Sequence, residues 1–173
     1  MIPHIKKILY ATDLSRNSSY AFYFAADLAQ KQGAKIVILH CVGTIPASAY
    51  YVGELVDTEG LMKKAKEREK EEGVAEIKKR LQNFCQKVES RLGASCIDLV
   101  SDIIVREGYA VEEILNAADT EECDVIVLGT HGKGLLKQAF LGSVARSVLE
   151  RTRKPVYIIP LPSDDVTIDW ASQ

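Results

Sequence analysis

The sequence predicts an α/β fold: an open, mostly parallel five-stranded sheet with helices on both faces. Three observations predict it. Short continuous apolar runs such as KIVILHCV and DVIVLG have the pattern of strands covered on both faces. Segments with helical apolar spacing separate them, so strand and helix alternate along the chain. With 173 residues, 47% of them hydrophobic, the chain is long enough for one domain with its own core.

Ile5 to Thr12 (IKKILYAT) reads as the first strand and ends in the polar turn Asp13-Leu14-Ser15. A helix follows from about Asn17 to Gln32, with Ala21, Phe22, Ala25, Leu28 and Ala29 at helical spacing and Gly33 as its stop. Lys35 to Val42 is the second strand. Gly43 to Gly60 contains Pro46 and little periodicity, and reads as a long functional loop. Leu61 to Leu92 is a long charged helix with Gly73 as a possible bend. Its run KKAKEREKEE is either a protein-docking surface or a solvated face held by i,i+4 pairs. Cys96 to Arg106 is the third strand, Val111 to Glu122 a helix, and Asp124 to Gly129 the fourth strand. A helix from about Gly142 to Arg153 and a strand from Pro155 to Pro160 complete the domain, residues 1–162. Residues 163–173 form an acidic tail carrying Trp170. Each crossover between parallel strands is expected to be right-handed.

Composition excludes several classes. Lys plus Arg is 22 and Asp plus Glu is 24, a net charge of −2, so no basic excess drives binding to nucleic acid or an anionic membrane. No apolar run approaches the roughly 18 residues of a membrane span. The first residues, Met1 to Lys7, lack the regions of a signal peptide, and the expectation is a cytoplasmic protein. Cys41, Cys85, Cys96 and Cys123 are widely spaced with no C-x-x-C pair, which argues against a zinc ribbon or a redox motif. Cys41 and Cys96 sit in apolar runs and read as buried free thiols.

In an open parallel sheet, ligands bind past the carboxyl ends of the strands, where the strand order reverses. Ala11-Thr12-Asp13 follows the first strand, Cys41-Val42-Gly43 the second, and Leu128-Gly129-Thr130-His131-Gly132 the fourth. Gly129 and Gly132 let the backbone approach an anion. Gly142-Ser143 opens a helix whose N–H groups favour phosphate, and the Ser143 hydroxyl adds a donor. An ionised Asp13 only accepts hydrogen bonds, which suits a ribose diol. Taken singly, such a glycine is a turn and such a serine a helix cap. The P-loop is excluded because Leu135-Leu136 stands where Lys-Ser/Thr is required. The dinucleotide fingerprint lacks its third glycine, and no G-x-S-x-G elbow occurs.

The run GTHGKGLLKQAFLGS, residues 129–143, matches G-x2-G-x9-G-[S/T] and resembles the nucleotide-binding motif of the universal stress protein family. KKILYATDLS, Ile38 to Val42, Gly108 to Ile114 and Lys154 to Pro160 are similar to other segments of that family, so the resemblance spans about residues 3–160. It implies a Rossmann-like sheet of order 3-2-1-4-5 that holds an adenine nucleotide (ATP, or ADP or AMP) across the first and fourth strand ends. Asp13 would hold the ribose. Thr12 and the backbone of Cys41 would line the adenine, and Gly129, His131, Gly132, Gly142, Ser143 and Val144 would surround ribose and phosphates. Ala11, Val42 and Leu128, beside them at the strand ends, complete the expected nucleotide-binding set. His131 either donates to phosphate or stays solvated, and the same two readings apply to Lys133 and Lys137. A divalent ion, Mg2+ or Mn2+, would be held mainly by phosphates and water. Ala11 and Ala110 stand where many members have proline.

The resulting expectation is an ATP-binding stress-response or regulatory protein with little or no turnover, because binding elements are visible while a general base and a metal-holding acidic pair are not. The alternative is a slow ATPase or nucleotide-dependent enzyme on the same fold. A regulatory role implies a protein partner whose chemistry the sequence does not specify. In the order 3-2-1-4-5 the last strand lies at an edge. Val156, Tyr157, Ile158 and Ile159 carry no charge to protect it, which predicts a homodimer through this strand unless the acidic tail folds over it.

Overall fold

The computed structural model describes residues 4–43, 58–92, 95–130 and 141–160. Strand β1 is Lys7–Thr12, followed by helix α1, Arg16–Gln32, and strand β2, Lys35–Val42. Helix α2, Thr58–Leu92, leads through a 3-10 turn, Ile97–Leu99, to β3, Val100–Glu107. Helix α3, Ala110–Thr120, strand β4, Val125–Gly129, helix α4, Ser143–Arg151, and strand β5, Val156–Ile159, complete the order. The strands form one parallel sheet in the order β3-β2-β1-β4-β5. The order is the one the sequence predicts, but the strand expected from Cys96 begins only at Val100, after the 3-10 turn. The expected loop from Gly43 to Gly60 ends earlier, since α2 begins at Thr58; residues 44–57 lie outside the described residues, as does the expected tail with Trp170.

Alternation along the strands divides the core in two. Ile8, Tyr10, Ile36, Ile38 and Val127 face α1 and α2, where Phe22, Ala25, Ile77 and Leu81 cover them. Leu9, Ala11, Val37, Leu39, Ile126 and Leu128 face α3 and α4, against Ile114, Ala117, Ala145 and Val148. Leu9 pairs with Val37 and with Ile126, and a one-residue slip would turn each set to the opposite face. Full burial of each large aliphatic side chain contributes about 1.5–3 kcal/mol.

Local chemistry sets the helix ends. The Ser15 hydroxyl caps α1 by accepting the Ser18 N–H at 3.2 Å, and Gly33 ends it in the left-handed region at φ 64°. Helix α2 is continuous through Gly73. A Cβ at Gly73 would meet Val105 Cγ2 at 3.4 Å, an ordinary contact distance, which places this turn of α2 directly over β3. Helix α2 enters the core through Ile77, Leu81 and Cys85, one turn apart.

One sequence reading is overturned. Cys96 is not a free thiol: it is joined to Cys85 in a disulfide, with Cα atoms 5.1 Å apart. Packing of α2 over the start of β3 brings together two cysteines that are 11 residues apart, outside any short-spacing motif. Cys41 and Cys123 are free.

Asp124 fastens the lower end of the sheet. Its Oδ2 accepts the N–H groups of Lys6 and Lys7 at 2.7 and 2.9 Å, and its own N–H donates to the Lys7 carbonyl at 2.8 Å. Partial burial opposes ionisation, but those two N–H donors and the charges of Lys154 and Lys6 outweigh it and hold the carboxyl below its usual range. Asp124→Ala is expected to cost about 1 kcal/mol at this solvent-screened position in urea unfolding at pH 7. A depressed carboxyl stabilises above its unfolded pKa of about 3.9, so the gap between parent and variant should close as pH falls below about 4.

Candidate functional site

The order β3-β2-β1-β4-β5 reverses at β1, with β2 on one side and β4 on the other. The chain leaves β1 toward α1 on one face and reaches α4 from β4 on the other, which opens a crevice between the strand ends. A cavity of about 330 Å³ lies there. That falls within the range of small-molecule sites, roughly 300–1,000 Å³.

Strands β1 and β2 contribute Ala11, Thr12, Leu39 and Cys41 to its lining, and Asp13 joins them from the turn directly after β1. Ala11 pairs with Leu39 in the sheet, so both face α3 and form an apolar floor. Helix α3 adds Ala110 and Ile114, one turn apart. Gly108 allows this approach: at φ 153° it takes a conformation that side chains rarely adopt, and a Cβ would lie 2.8 Å from Glu113 Oε1.

Strand β4 contributes Leu128 and Gly129, and α4 contributes Ser143, Val144 and Ala145 behind its N-cap Gly142. The Gly142 N–H donates to the Thr130 carbonyl at 2.7 Å and the Thr130 N–H to the Ile159 carbonyl at 2.9 Å, which fixes the start of α4 beside the end of β4. Gly142 has no side chain with which to cap the first turn, so the N–H groups there and the positive end of the helix dipole meet the cavity.

A buried polar cluster holds the turn after β1. Thr12 Oγ1 lies 3.0 Å from Ser18 Oγ and accepts the Leu14 N–H at 3.0 Å. The Tyr10 hydroxyl donates to the Ser18 carbonyl at 2.6 Å. His40 is buried, as a strand-end histidine with its partner supplied, with Nδ1 2.8 Å from the Thr12 carbonyl. Asp13 Oδ1 accepts the Ser15 N–H at 3.0 Å.

Nine residues named from the sequence line this one cavity: Ala11, Thr12, Asp13, Cys41, Leu128, Gly129, Gly142, Ser143 and Val144. Val42 is not among its lining; its carbonyl accepts the Gly108 N–H at 3.1 Å. His131 and Gly132, with Lys133 and Lys137, lie outside the described residues. The sequence reading missed Ser18, Leu39, Thr130 and Ala145 as lining residues and gave Ala110 and Ile114 no site role. Leu39 was findable from Cys41, since residues two apart share a strand face. Ser18 needed the fold of the turn.

Among the described residues no group of three or more His, Cys, Asp or Glu is arranged to hold a metal ion. Asp13 is the one carboxylate of the described lining. That donor set fits an ion carried mainly by a ligand's phosphates and water, and does not fit a cage of protein carboxylates.

The fold and its crevice define an open, doubly wound α/β protein with a cavity at the reversal of strand order. Residues 4–160 match the profile of the universal stress protein family, and the chain belongs to that family. It is 32% identical over 158 residues to universal stress protein MJ0577 of Methanocaldococcus jannaschii, covering 89% of this chain and 94% of that one. A Thermus aquaticus universal stress protein is 30% identical over 154 residues, covering 89% and 98%. The solved structure of MJ0577 superposes with a TM-score of 0.65 at 26% identity, over 94% of this chain and all of that one. A universal stress protein solved in complex with cAMP shares the fold, with a TM-score of 0.52 at 21% identity over 91% and 98%.

Burial pushes the Cys41 thiol up to about 11; the Glu113 charge adds to the shift and Arg106 opposes it. The thiol is therefore neutral at pH 7, a soft apolar wall. Alkylation of Cys41 by iodoacetamide, followed by peptide mass spectrometry, should rise about tenfold per pH unit between pH 7 and 10. A rate that levels off near pH 8 would contradict this assignment.

Proposed function

We propose that the cleft binds an adenine nucleotide, ATP first and ADP or AMP as alternatives, and that the protein is a stress-response regulator with little or no turnover. One observation carries this reading: Asp13 at the end of β1 and the N-terminus of α4 at Ser143 face a single cavity across the strand-order reversal. Ala11, Leu39, Cys41 and Ile114 offer the apolar surface an adenine ring needs. Asp13 accepts from the ribose hydroxyls, and the first turn of α4 with Ser143 receives phosphate. Gly129 allows close approach, and Gly132 with His131 completes the glycine motif in the sequence. A Mg2+ or Mn2+ ion would travel with the phosphates. Asp13 and Cys41 are the titratable side chains of the described lining, and this favours binding over turnover. We assign the protein to the cytoplasm, where adenine nucleotides are made and used; among the described residues no helix is long and apolar enough to cross a membrane.

The test is nucleotide extraction from purified protein, then calorimetry with ATP, 2′-deoxy-ATP and cAMP. The parent should prefer ATP to 2′-deoxy-ATP by about tenfold, the scale of one lost hydrogen bond to a charged group, and Asp13→Ala should erase most of that preference. A parent that treats the two alike would sink the role of Asp13. The cAMP arm is included because a protein of this fold is solved with it.

The same reading includes a homodimer through β5. This strand is an edge of the sheet, with Tyr157 49% exposed and Val156 and Ile158 half-buried. Pro155 and Pro160 bound a short pairing segment. Two copies related by a two-fold axis can pair antiparallel there. Ile158→Lys should shift sedimentation from dimer to monomer and leave nucleotide binding within about twofold, since β5 supplies none of the cavity lining. A parent that sediments as a monomer at micromolar concentration would overturn the dimer.

A further inference from the structure

We infer that Arg80 of α2 is a positioning residue for Asp13, acting through the left-handed backbone of Leu14. The inference rests on the proposed nucleotide site for its functional consequence, but its geometry stands apart from any ligand. Leu14 adopts φ 62°, a region that non-glycine residues rarely occupy. Such a conformation persists where surrounding bonds over-determine it. Here both polar groups of Leu14 are held. Its N–H donates to Thr12 Oγ1 at 3.0 Å, and its carbonyl accepts from Arg80 Nη1 at 2.7 Å.

Arg80 reaches this carbonyl from a helix 66 residues further along the chain. Its guanidinium is oriented by Glu76, one turn earlier, whose Oε1 accepts from Nε at 2.7 Å. The Arg80 side chain is 22% exposed, so the fork works largely shielded from water. Ile77 and Leu81 anchor this stretch of α2 in the core on either side of Arg80.

The consequence for Asp13 follows from the bond geometry. Asp13 Oδ1 accepts the N–H of Ser15, the residue after Leu14. Relaxation of Leu14 to a negative φ swings its carbonyl and the Ser15 N–H away from their present directions. Asp13 then loses the Ser15 N–H, a donor that helps orient its carboxylate in the cavity. Arg80 thus fixes a cavity-lining acceptor although it is not itself among the lining residues.

The test begins with nucleotide-free protein. Amide exchange at Leu14 and Ser15 should be about tenfold faster in Arg80→Ala than in the parent, with exchange in β4 unchanged. Arg80→Lys, which keeps a cationic donor, should recover part of that protection. In calorimetry, Arg80→Ala should weaken ATP about 5- to 20-fold and 2′-deoxy-ATP less than about threefold, so that ribose discrimination shrinks. A double-mutant cycle separates this from direct contact. Glycine enters the left-handed region without strain, so removing Arg80 in a Leu14→Gly background should cost much less ribose discrimination than in the parent. An equal loss in both backgrounds would mean that Arg80 acts on the nucleotide directly, and would overturn the inference. Unchanged exchange at Ser15 in folded Arg80→Ala overturns it whatever the ligand. A parent that binds no adenine nucleotide overturns the proposed function instead, and the exchange data alone then decide whether Arg80 holds the turn.

Discussion

Lys7–Thr12 carries a parallel neighbour on each edge, β2 and β4, and is buried on both faces from Ile8 to Ala11. That double pairing governs the rest of the molecule. Parallel neighbours need right-handed crossovers, so the helices attached to the two flanking halves of the sheet fall on opposite faces. The chain segments beyond β1 and β4 therefore diverge. The space between them is a by-product of strand order, which no side chain has to carve. What the side chains decide is its chemistry: small and apolar at Ala11 and Ala110, acceptor at Asp13, donor-rich at the start of α4.

The turn after β1 shows how polar groups can sit under such a space without destabilising it. Tyr10, Thr12, Ser18 and His40 are all buried, and each has a hydrogen-bond partner within the cluster or on the adjoining backbone. A buried group left unpaired would cost about 1–3 kcal/mol. Satisfied, the same groups make the turn rigid, because moving one of them breaks several bonds together. Burial also raises the pKa of the Tyr10 hydroxyl, with hydrogen bonds from Thr12 and Ser18 and the Arg80 charge working against that shift. The phenol therefore stays protonated and keeps donating.

Most of the fold was legible in the residues because the strands are short apolar runs and the helices between them are periodic. KIVILHCV and DVIVLG each fill one strand with side chains for two opposite cores, a pattern with little ambiguity. The glycine motif and Asp13 located the cleft because strand ends are where such folds bind ligands. What stayed hidden depended on tertiary packing. Cys85 and Cys96 meet only because α2 crosses the start of β3. Ser18 reaches the cavity only because Leu14 turns the chain sharply after Asp13. The start of α2 was misjudged since Thr58 to Gly60 lacks the apolar period on which the sequence reading relies.

The hydrogen bond from Gly142 to the Thr130 carbonyl brings together the two ends of the chain segment between them. Closure entropy grows only with the logarithm of loop length, about 0.6 kcal/mol per doubling. The scaffold on either side is thus insulated from whatever is spliced between residues 130 and 142. The end of β4 and the start of α4 keep their places through this bond and through the Thr130 N–H on the Ile159 carbonyl. The bond works as a clasp: strand and helix are held in register by backbone groups, so their relative placement does not depend on any one side chain.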